Sequence, residues 1–219
     1  MPVLVVGSSK GGPGKTTLCQ ILAGTLAPSL RLVVLDADPT QALSRWVANA
    51  YEGPVIEAHA EPDEVRLAHL IAAKAESADL VLVDTAGFGN RAATVAMTSA
   101  DAVLVPSLAG EADVTEAEKT MRLVEGLARA ARRSIPARIL FNRVRKTTLA
   151  RHAAAEIKAA GLLCVEASLS DLVAYGEMTY SGRLPAKGLA RTEVGVLVGE
   201  LRRLGWVLGA APVRNGVVA

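Results

Sequence analysis

A glycine-rich segment near the N-terminus constrains this chain more than any other feature. Residues 9–17 read SKGGPGKTT; they follow an apolar run at 3–6 and open a stretch, 15–27, whose composition favours a helix. Glycines let a backbone approach an anion closely, and the free N–H groups at the start of a helix bind it. The segment therefore predicts a strand, a phosphate-binding loop and a helix in immediate succession.

The rest of the chain alternates short apolar runs with longer stretches rich in Ala and Leu. Several runs are apolar throughout, as strands are in a parallel sheet covered by helices on both faces. The pattern predicts an α/β fold, namely a doubly wound, mostly parallel sheet with helices on both faces. The predicted strands are residues 3–6, 31–36, 55–58, 80–84, 102–106, 138–142 and 162–165, and the predicted helices are residues 15–27, 41–50, 62–76, 90–99, 113–131, 147–160 and 189–208.

Two helix ends carry local signals. Asp113 followed by Glu116 resembles a capping box and predicts that Asp113 caps the fifth helix. Gly161 predicts the C-terminal end of the sixth helix, because glycine readily adopts the left-handed conformation found there.

Composition limits the class of protein. With 219 residues, of which 51% are hydrophobic and 21% charged, the chain can form one α/β domain, which we place at 1–209 before a short flexible tail at 210–219. The aromatic content of 3% argues against a stacking platform for single-stranded nucleic acid. Cys19 and Cys164 lack metal-site spacing and fit a reducing cytoplasm. No run is apolar for long enough to span a membrane.

The loop departs from the common P-loop pattern. Ser9 stands where the first glycine is expected, and a second lysine, Lys10, precedes the usual Lys15. This K-G-G-x-G-K-T pattern resembles the deviant Walker A loop of the ParA/MinD family of ATPases, and among them the small partition ATPases that lack an N-terminal helix-turn-helix domain. Residues 36–41 (DADPTQ) resemble the family's D-x-D-P-Q segment with Thr40 in place of Gln, and residues 83–87 (VDTAG) resemble its D-T-P/A-x-G segment.

The residues and the resemblance together predict an ATP and Mg²⁺ site. From the loop chemistry, Lys15 reaches the β- and γ-phosphates and the Thr16 hydroxyl ligates Mg²⁺. The resemblance implies that Lys10 contacts nucleotide across a dimer interface, that Asp38 orients the attacking water, and that Asn142 reads the adenine edge. Asp36 either supports the metal and its loop or caps a strand end. The predicted catalytic residues are Lys10, Lys15 and Asp38; the nucleotide-binding residues are Gly11, Gly12, Gly14, Lys15, Thr16, Thr17, Gly87 and Asn142; the metal residues are Thr16, Asp84 and Asp36.

Charge is distributed unevenly along the chain. Residues 1–121 carry 8 basic and 15 acidic side chains, whereas residues 122–219 carry 16 basic and 7 acidic ones. Such asymmetry indicates either a polyanion-binding face or ordinary solvated surface. In ParA-type relatives this part of the chain binds DNA, and the residues predicted to do so here are Arg145, Lys146, Arg183, Lys187, Arg191, Arg202 and Arg203.

The resemblance implies a small ParA-type ATPase that segregates or positions plasmid, chromosome or protein cargo. It implies a homodimer in the ATP-bound state, double-stranded DNA bound without sequence preference, a ParB-like or other small activator protein, and a cytoplasmic, nucleoid-associated location. One alternative is a MinD-like ATPase acting at membranes, although Pro212 and Gly216 oppose the amphipathic tail helix that it would need. Another alternative is a nucleotide-gated scaffold for conjugative DNA transfer. Lys10 and residues 36–41 argue against a P-loop synthetase.

Overall fold

The apolar runs assemble into one parallel sheet. A computed structural model describes residues 2–87, 89–145 and 148–209, so Lys146 and the predicted tail at 210–219 lie outside the described residues. The strands are β1 (Val3–Val6), β2 (Leu32–Asp36), β3 (Glu57–Ala60), β4 (Leu80–Asp84), β5 (Ala102–Ser107), β6 (Ala137–Val144) and β7 (Cys164–Ser170). The helices are α1 (Lys15–Leu26), α2 (Ala42–Asn49), α3 (Glu64–Ala75), α4 (Arg91–Ser99), α5 (Glu111–Ala131), α6 (Thr148–Ala159), α7 (Val173–Ser181) and α8 (Gly188–Arg203).

The strand order places β1 at the centre of the sheet. The order is β3-β2-β4-β1-β5-β6-β7, and every neighbouring pair is parallel. The predicted α/β class is confirmed. Since the chain winds away from β1 in both directions, a crevice opens at the carboxyl ends of the central strands, where ligands bind in folds of this kind.

Two apolar cores explain why the central strands are apolar throughout. In β1, Leu4 and Val6 point into a core shared with α1, α2, α7 and α8, while Val3 and Val5 point into a core shared with α3, α4 and α5. Alternate residues of a strand face opposite sides of the sheet, so a strand covered on both sides has no solvent-facing position. Trp46 on α2 is buried in the first core.

Several boundaries differ from the prediction. β3 begins two residues late at Glu57, and α8 ends at Arg203, with Gly205 at a φ of +73° just beyond it. β7 lies at the edge of the sheet and continues to Ser170, beyond its predicted end. Its residues alternate between buried and exposed, so one face of the strand meets solvent. Helix α7 was not predicted.

The capping-box prediction at Asp113 is wrong. Gly110 precedes the first residue of α5, and Asp113 lies within the first turn with its carboxylate directed at Lys10. The carboxylate is engaged in a tertiary ion pair and not in capping its own helix. Gly161 follows α6 at a φ of +71°, as predicted.

None of the helices within residues 2–87, 89–145 and 148–209 has the length and hydropathy of a membrane-spanning helix.

Candidate nucleotide-binding site

Two glycines of the loop between β1 and α1 adopt positive φ angles. Gly12 and Gly14 adopt φ values of +96° and +86°, which strain any residue with a Cβ atom. Gly14 precedes α1 without a side-chain cap, so the first N–H groups of the helix are available to an anion. The loop therefore presents a helix N-terminus at the centre of the crevice.

Lys15 is held close to this loop. Its side chain is buried, and its Nζ donates a 3.1 Å hydrogen bond to the carbonyl oxygen of Lys10. Burial lowers the pKa of Lys15, while the carboxylates of Asp84 and Asp38 act in the opposite direction. The ammonium is thus placed inside the loop, where phosphate oxygens would restore its lost hydration.

Asp84, at the carboxyl end of β4, has an unsatisfied carboxylate. It is fully buried, and within the described part of the chain neither oxygen accepts a hydrogen bond. Burial raises the pKa of Asp84 to about 7, against the opposing effects of the nearby Thr16 hydroxyl and Lys15 ammonium. Carboxylate and hydroxyl oxygens are ligands that suit Mg²⁺, so the orphaned carboxylate beside Thr16 fits a magnesium ion.

Asp36 supports the loop that carries Asp38. One Asp36 oxygen accepts a 2.9 Å hydrogen bond from the backbone N–H of Ser44, and the other accepts one of 3.2 Å from that of Asp38. Asp36 is fully buried, and burial raises its pKa. Asp38 is half-buried and accepts a hydrogen bond from the backbone N–H of Thr40. The two carboxylates therefore differ in environment: one holds the loop, and the other remains near Lys15.

Gly87 closes the site from the β4 side. A Cβ atom on Gly87 would lie 3.3 Å from the backbone nitrogen of Gly11. Gly87 therefore approaches the phosphate loop with its backbone close to the backbone of Gly11. Thr85 ties the same strand end to β1 by donating a hydrogen bond to the carbonyl oxygen of Val6.

Asn142 contacts the loop directly. Its Nδ2 donates a 2.8 Å hydrogen bond to the carbonyl oxygen of Pro13, and its Oδ1 accepts one from the backbone N–H of Arg143. A cleft of about 810 Å³ opens beside it, bordered also by Thr17 and by Tyr175 of α7. Asn142 thus braces the loop from the wall of a cleft large enough for a nucleoside.

Sequence reasoning missed the contribution of α5 to this site. The backbone N–H of Ser9 donates a 2.9 Å hydrogen bond to Thr120, and the Ser9 hydroxyl lies 2.9 Å from the carbonyl oxygen and from a carboxylate oxygen of Glu116. The Lys10 ammonium lies 2.8 Å from the Asp113 carboxylate. The available signal was Ser9 itself, because a hydroxyl at a position normally held by glycine requires a partner.

The predicted DNA-binding residues that the structure describes lie on different elements: Arg145 follows β6, Arg183 follows α7, and the others lie on or beside α8. Arg145 shares the carboxylate of Asp171 with Arg143, and Arg183 pairs with Glu52. Lys187 and Arg203 mark the two ends of α8, a helix of 16 residues and therefore about 24 Å long.

Arg202 differs from the other members of this set. It is half-buried, and its Nε atom is buried without a hydrogen-bond partner in the part of the chain that the structure describes. Arg203 and Arg191 are exposed. Arg203 is therefore the better probe of surface charge at this end of α8.

Comparison with known proteins decides the family. A family model described as "VirC1 protein" matches residues 1–194. The chain belongs to the VirC1 family. This VirC1-family chain is 32% identical over 188 residues to Protein ParA of Rhizobium radiobacter, an alignment that covers 83% of this chain and 84% of the relative.

Solved structures agree on the fold of this VirC1-family chain. An ATP complex of an aspartate-to-alanine variant of McdA from Cyanothece superposes with a TM-score of 0.80 at 19% identity, covering 96% of this chain and 98% of that one. The septum site-determining protein MinD of Pyrococcus horikoshii, complexed with Mg-ADP, superposes with a TM-score of 0.75 at 16% identity. The superposition covers 93% of this chain and 97% of that one. The chain is a ParA/MinD-type P-loop ATPase, a group whose members are ATPases involved in partition or positioning.

Proposed function

We propose that residues 1–209 form a ParA-type ATPase domain that dimerises with Mg-ATP and in that state binds double-stranded DNA without sequence preference. It segregates or positions a plasmid, a chromosome region or a protein assembly on the nucleoid. A ParB-like or other small activator protein stimulates its weak basal hydrolysis. The observation that carries the proposal is a difference in exposure between two lysines. Lys15 is buried inside its own loop, whereas the Lys10 side chain is 43% exposed.

The two lysines suit different phosphate contacts. Lys15 lies within the loop and neutralises phosphate charge in its own protomer. Lys10 points away from that loop towards α5 and its side chain is 43% exposed, so its ammonium is accessible to a nucleotide held by a second copy of the chain once it leaves Asp113. A symmetric pair of protomers then exchanges two lysines across one interface.

The carboxylates complete the proposed site. The Asp84 carboxylate and the Thr16 hydroxyl would hold Mg²⁺, which neutralises charge on the phosphates when bound. Asp38 orients the attacking water, and Asp36 keeps the loop that carries Asp38 in place. Asn142 contacts the adenine from the wall of the cleft. The capture of ATP by an aspartate-to-alanine variant of McdA fits such a division of roles.

The proposal is tested by the mass of the protein in solution. Light scattering is recorded without nucleotide, with ADP and with a non-hydrolysable ATP analogue, followed by sedimentation with duplex DNA under the same conditions. We expect dimers and DNA binding with the ATP analogue alone. Lys10→Ala should abolish both and leave nucleotide affinity nearly intact, whereas Lys74→Ala, which removes a lysine paired with Glu57, should behave as wild type.

Two results would contradict the proposal. The wild-type protein could remain monomeric with the ATP analogue, or Lys10→Ala could dimerise as readily as wild type. The first result would show that ATP does not cause dimerisation. The second would show that Lys10 does not act across the interface.

A further inference from the structure

The ion pair between Lys10 and Asp113 joins the phosphate loop to α5 within one protomer. Lys10 Nζ lies 2.8 Å from Asp113 Oδ1, and the Asp113 side chain is only 15% exposed. The two residues are 103 positions apart, so the pair depends on the tertiary fold. In this conformation the lysine is bound to a carboxylate of its own chain.

An ammonium held in this way is not free to bind a phosphate elsewhere. A partner's nucleotide and Asp113 are both anionic, and they compete for the same ammonium. We propose that Asp113 is a positioning residue that retains Lys10 within its own protomer until an ATP-bound partner displaces the carboxylate. The inference rests on the proposed function, since it presumes that Lys10 acts across a dimer interface.

The surroundings of the pair favour exchange by movement of the lysine alone. Helix α5 is fixed beside the loop by the contacts of Ser9 with Glu116 and Thr120. Asp113 therefore cannot follow a departing lysine. A cleft of about 570 Å³ borders Lys10, Ser9 and Glu116, which gives the flexible lysine side chain space to leave.

Removal of Asp113 should have a modest effect on the dimerisation constant for each protomer, and a larger one for the dimer, which contains two pairs. A partly exposed ion pair changes an equilibrium by about fivefold, the equivalent of about 1 kcal/mol. Two protomers each lose one such pair when a symmetric dimer forms. Removal of Asp113 should therefore raise the dimerisation constant by up to about 25-fold.

The test compares charge-removing substitutions in the first turn of α5. Dimerisation is measured by light scattering against protein concentration, at saturating non-hydrolysable ATP analogue, for wild type, Asp113→Asn and Glu111→Gln. Glu111 lies in the same turn, so its substitution removes the same charge from the helix N-terminus. Asp113→Asn should lower the midpoint concentration by about 5- to 25-fold, with ADP affinity within about twofold of wild type, and Glu111→Gln should leave the midpoint near wild type.

Two further measurements separate this role from a structural one. The difference between wild type and Asp113→Asn should shrink as salt rises, because salt screens a partly exposed pair. The free energy of unfolding of Asp113→Asn should stay within about 1 kcal/mol of wild type, as expected for the loss of one partly exposed ion pair. A destabilised helix would produce neither result.

The outcomes distinguish this inference from the proposed function. If wild type dimerises and Asp113→Asn has the same or a higher midpoint, the positioning role is overturned and the proposed function stands. If wild type and Asp113→Asn are both monomeric with the ATP analogue, the proposed function fails and the inference fails with it.

Discussion

Asp84 shows at the scale of one residue how a binding site lowers the stability of the ligand-free fold. Its buried carboxylate accepts no hydrogen bond from any described residue. Its pKa is raised from 3.8 to about 7, and burial is the main cause. The folded state therefore binds a proton more tightly than the unfolded chain does.

The sign of this shift gives a prediction for pH. The stabilisation from the protonated form is complete below about pH 4 and is lost as pH rises through about 7. Without Mg²⁺ or nucleotide, wild type should therefore lose stability relative to Asp84→Asn over that range. The loss should reach a few kcal/mol, at about 1.4 kcal/mol per pKa unit. Denaturant unfolding at pH 4, 6 and 8 measures it, and parallel pH profiles would show that the pKa of Asp84 is the same in the folded and unfolded states.

A second prediction concerns Asp38. Asp38→Ala removes the group that we propose to orient the attacking water, but it leaves the loop N–H groups and Lys15 in position to bind phosphate. Hydrolysis should fall by at least about 100-fold, the usual scale for loss of acid–base or positioning chemistry, while ATP-dependent dimers persist. Phosphate release together with light scattering checks both parts. Normal turnover by the variant would assign Asp38 to the loop structure alone.

At the scale of elements, β7 and α8 depend on a buried glutamate. The pairing of β6 with β7 is irregular between Ile139 and Val144. The Glu200 carboxylate accepts hydrogen bonds of 2.8 and 2.9 Å from the backbone N–H groups of Glu166 and Ala167. Glu200 thus satisfies donors of the edge strand and fixes α8 against it.

Removal of the Glu200 carboxylate should destabilise the fold without a direct effect on ATP hydrolysis. Glu200→Ala leaves two backbone donors without partners, which costs about 1–3 kcal/mol each. We expect the free energy of unfolding to fall by about 2–6 kcal/mol, measured by denaturant titration. Glu125→Ala, which removes only an exposed pair with Arg129, should change it by less than about 0.5 kcal/mol. Equal effects of the two substitutions would refute the bridging role of Glu200.

The elements also show how far sequence reasoning reaches. Central strands such as β1 and β4 were predicted with their bounds, because burial on both faces leaves an unbroken apolar run. Helix α7 was missed, since its nine residues contain a glycine and lack a helical apolar period. The apolar alternation of Val165, Ala167 and Leu169 could have revealed the full length of β7.

The candidate site, like the strands and helices, could be predicted only where the sequence pattern is local. The loop glycines and Lys15 could be read from the sequence because their spacing is local. The contacts of Ser9 and Lys10 with α5 join residues more than 100 positions apart, so no local pattern encodes them. The contact of Asn142 with Pro13 likewise depends on how β6 and β1 lie in one sheet.

At the scale of the whole molecule, the described residues that were predicted to bind DNA lie on several elements, from just beyond β6 to the end of α8. Arg145 is exposed, and Arg143 shares its partner Asp171, so Arg145→Ala leaves that carboxylate paired. If Arg145 contacts a phosphate, a dimer loses two contacts, and the salt slope of duplex binding should fall in magnitude by about 1.8. Salt titrations on two unrelated duplexes measure it.

A matched arginine provides the control for this prediction. Arg31 is also exposed and paired with an aspartate, Asp79, but it lies in the acidic half of the chain. Arg31→Ala should leave the salt slope unchanged. If the binding of wild type does not depend on salt, or if both variants lose the same amount of salt slope, Arg145 is an ordinary solvated residue and does not contact DNA.

The position of Trp46 has an optical consequence. Trp46 lies on α2, which follows the loop of Asp38, and its indole Nε1 donates a hydrogen bond to the Met178 carbonyl oxygen of α7, a helix that borders the cleft. The other tryptophan of the chain, Trp206, is buried beyond the end of α8. Indole fluorescence responds to polarity and hydrogen bonding around the ring. Trp46 is therefore an intrinsic fluorophore placed between α2 and α7, the second of which borders the cleft, and the emission of Trp206 is the background signal.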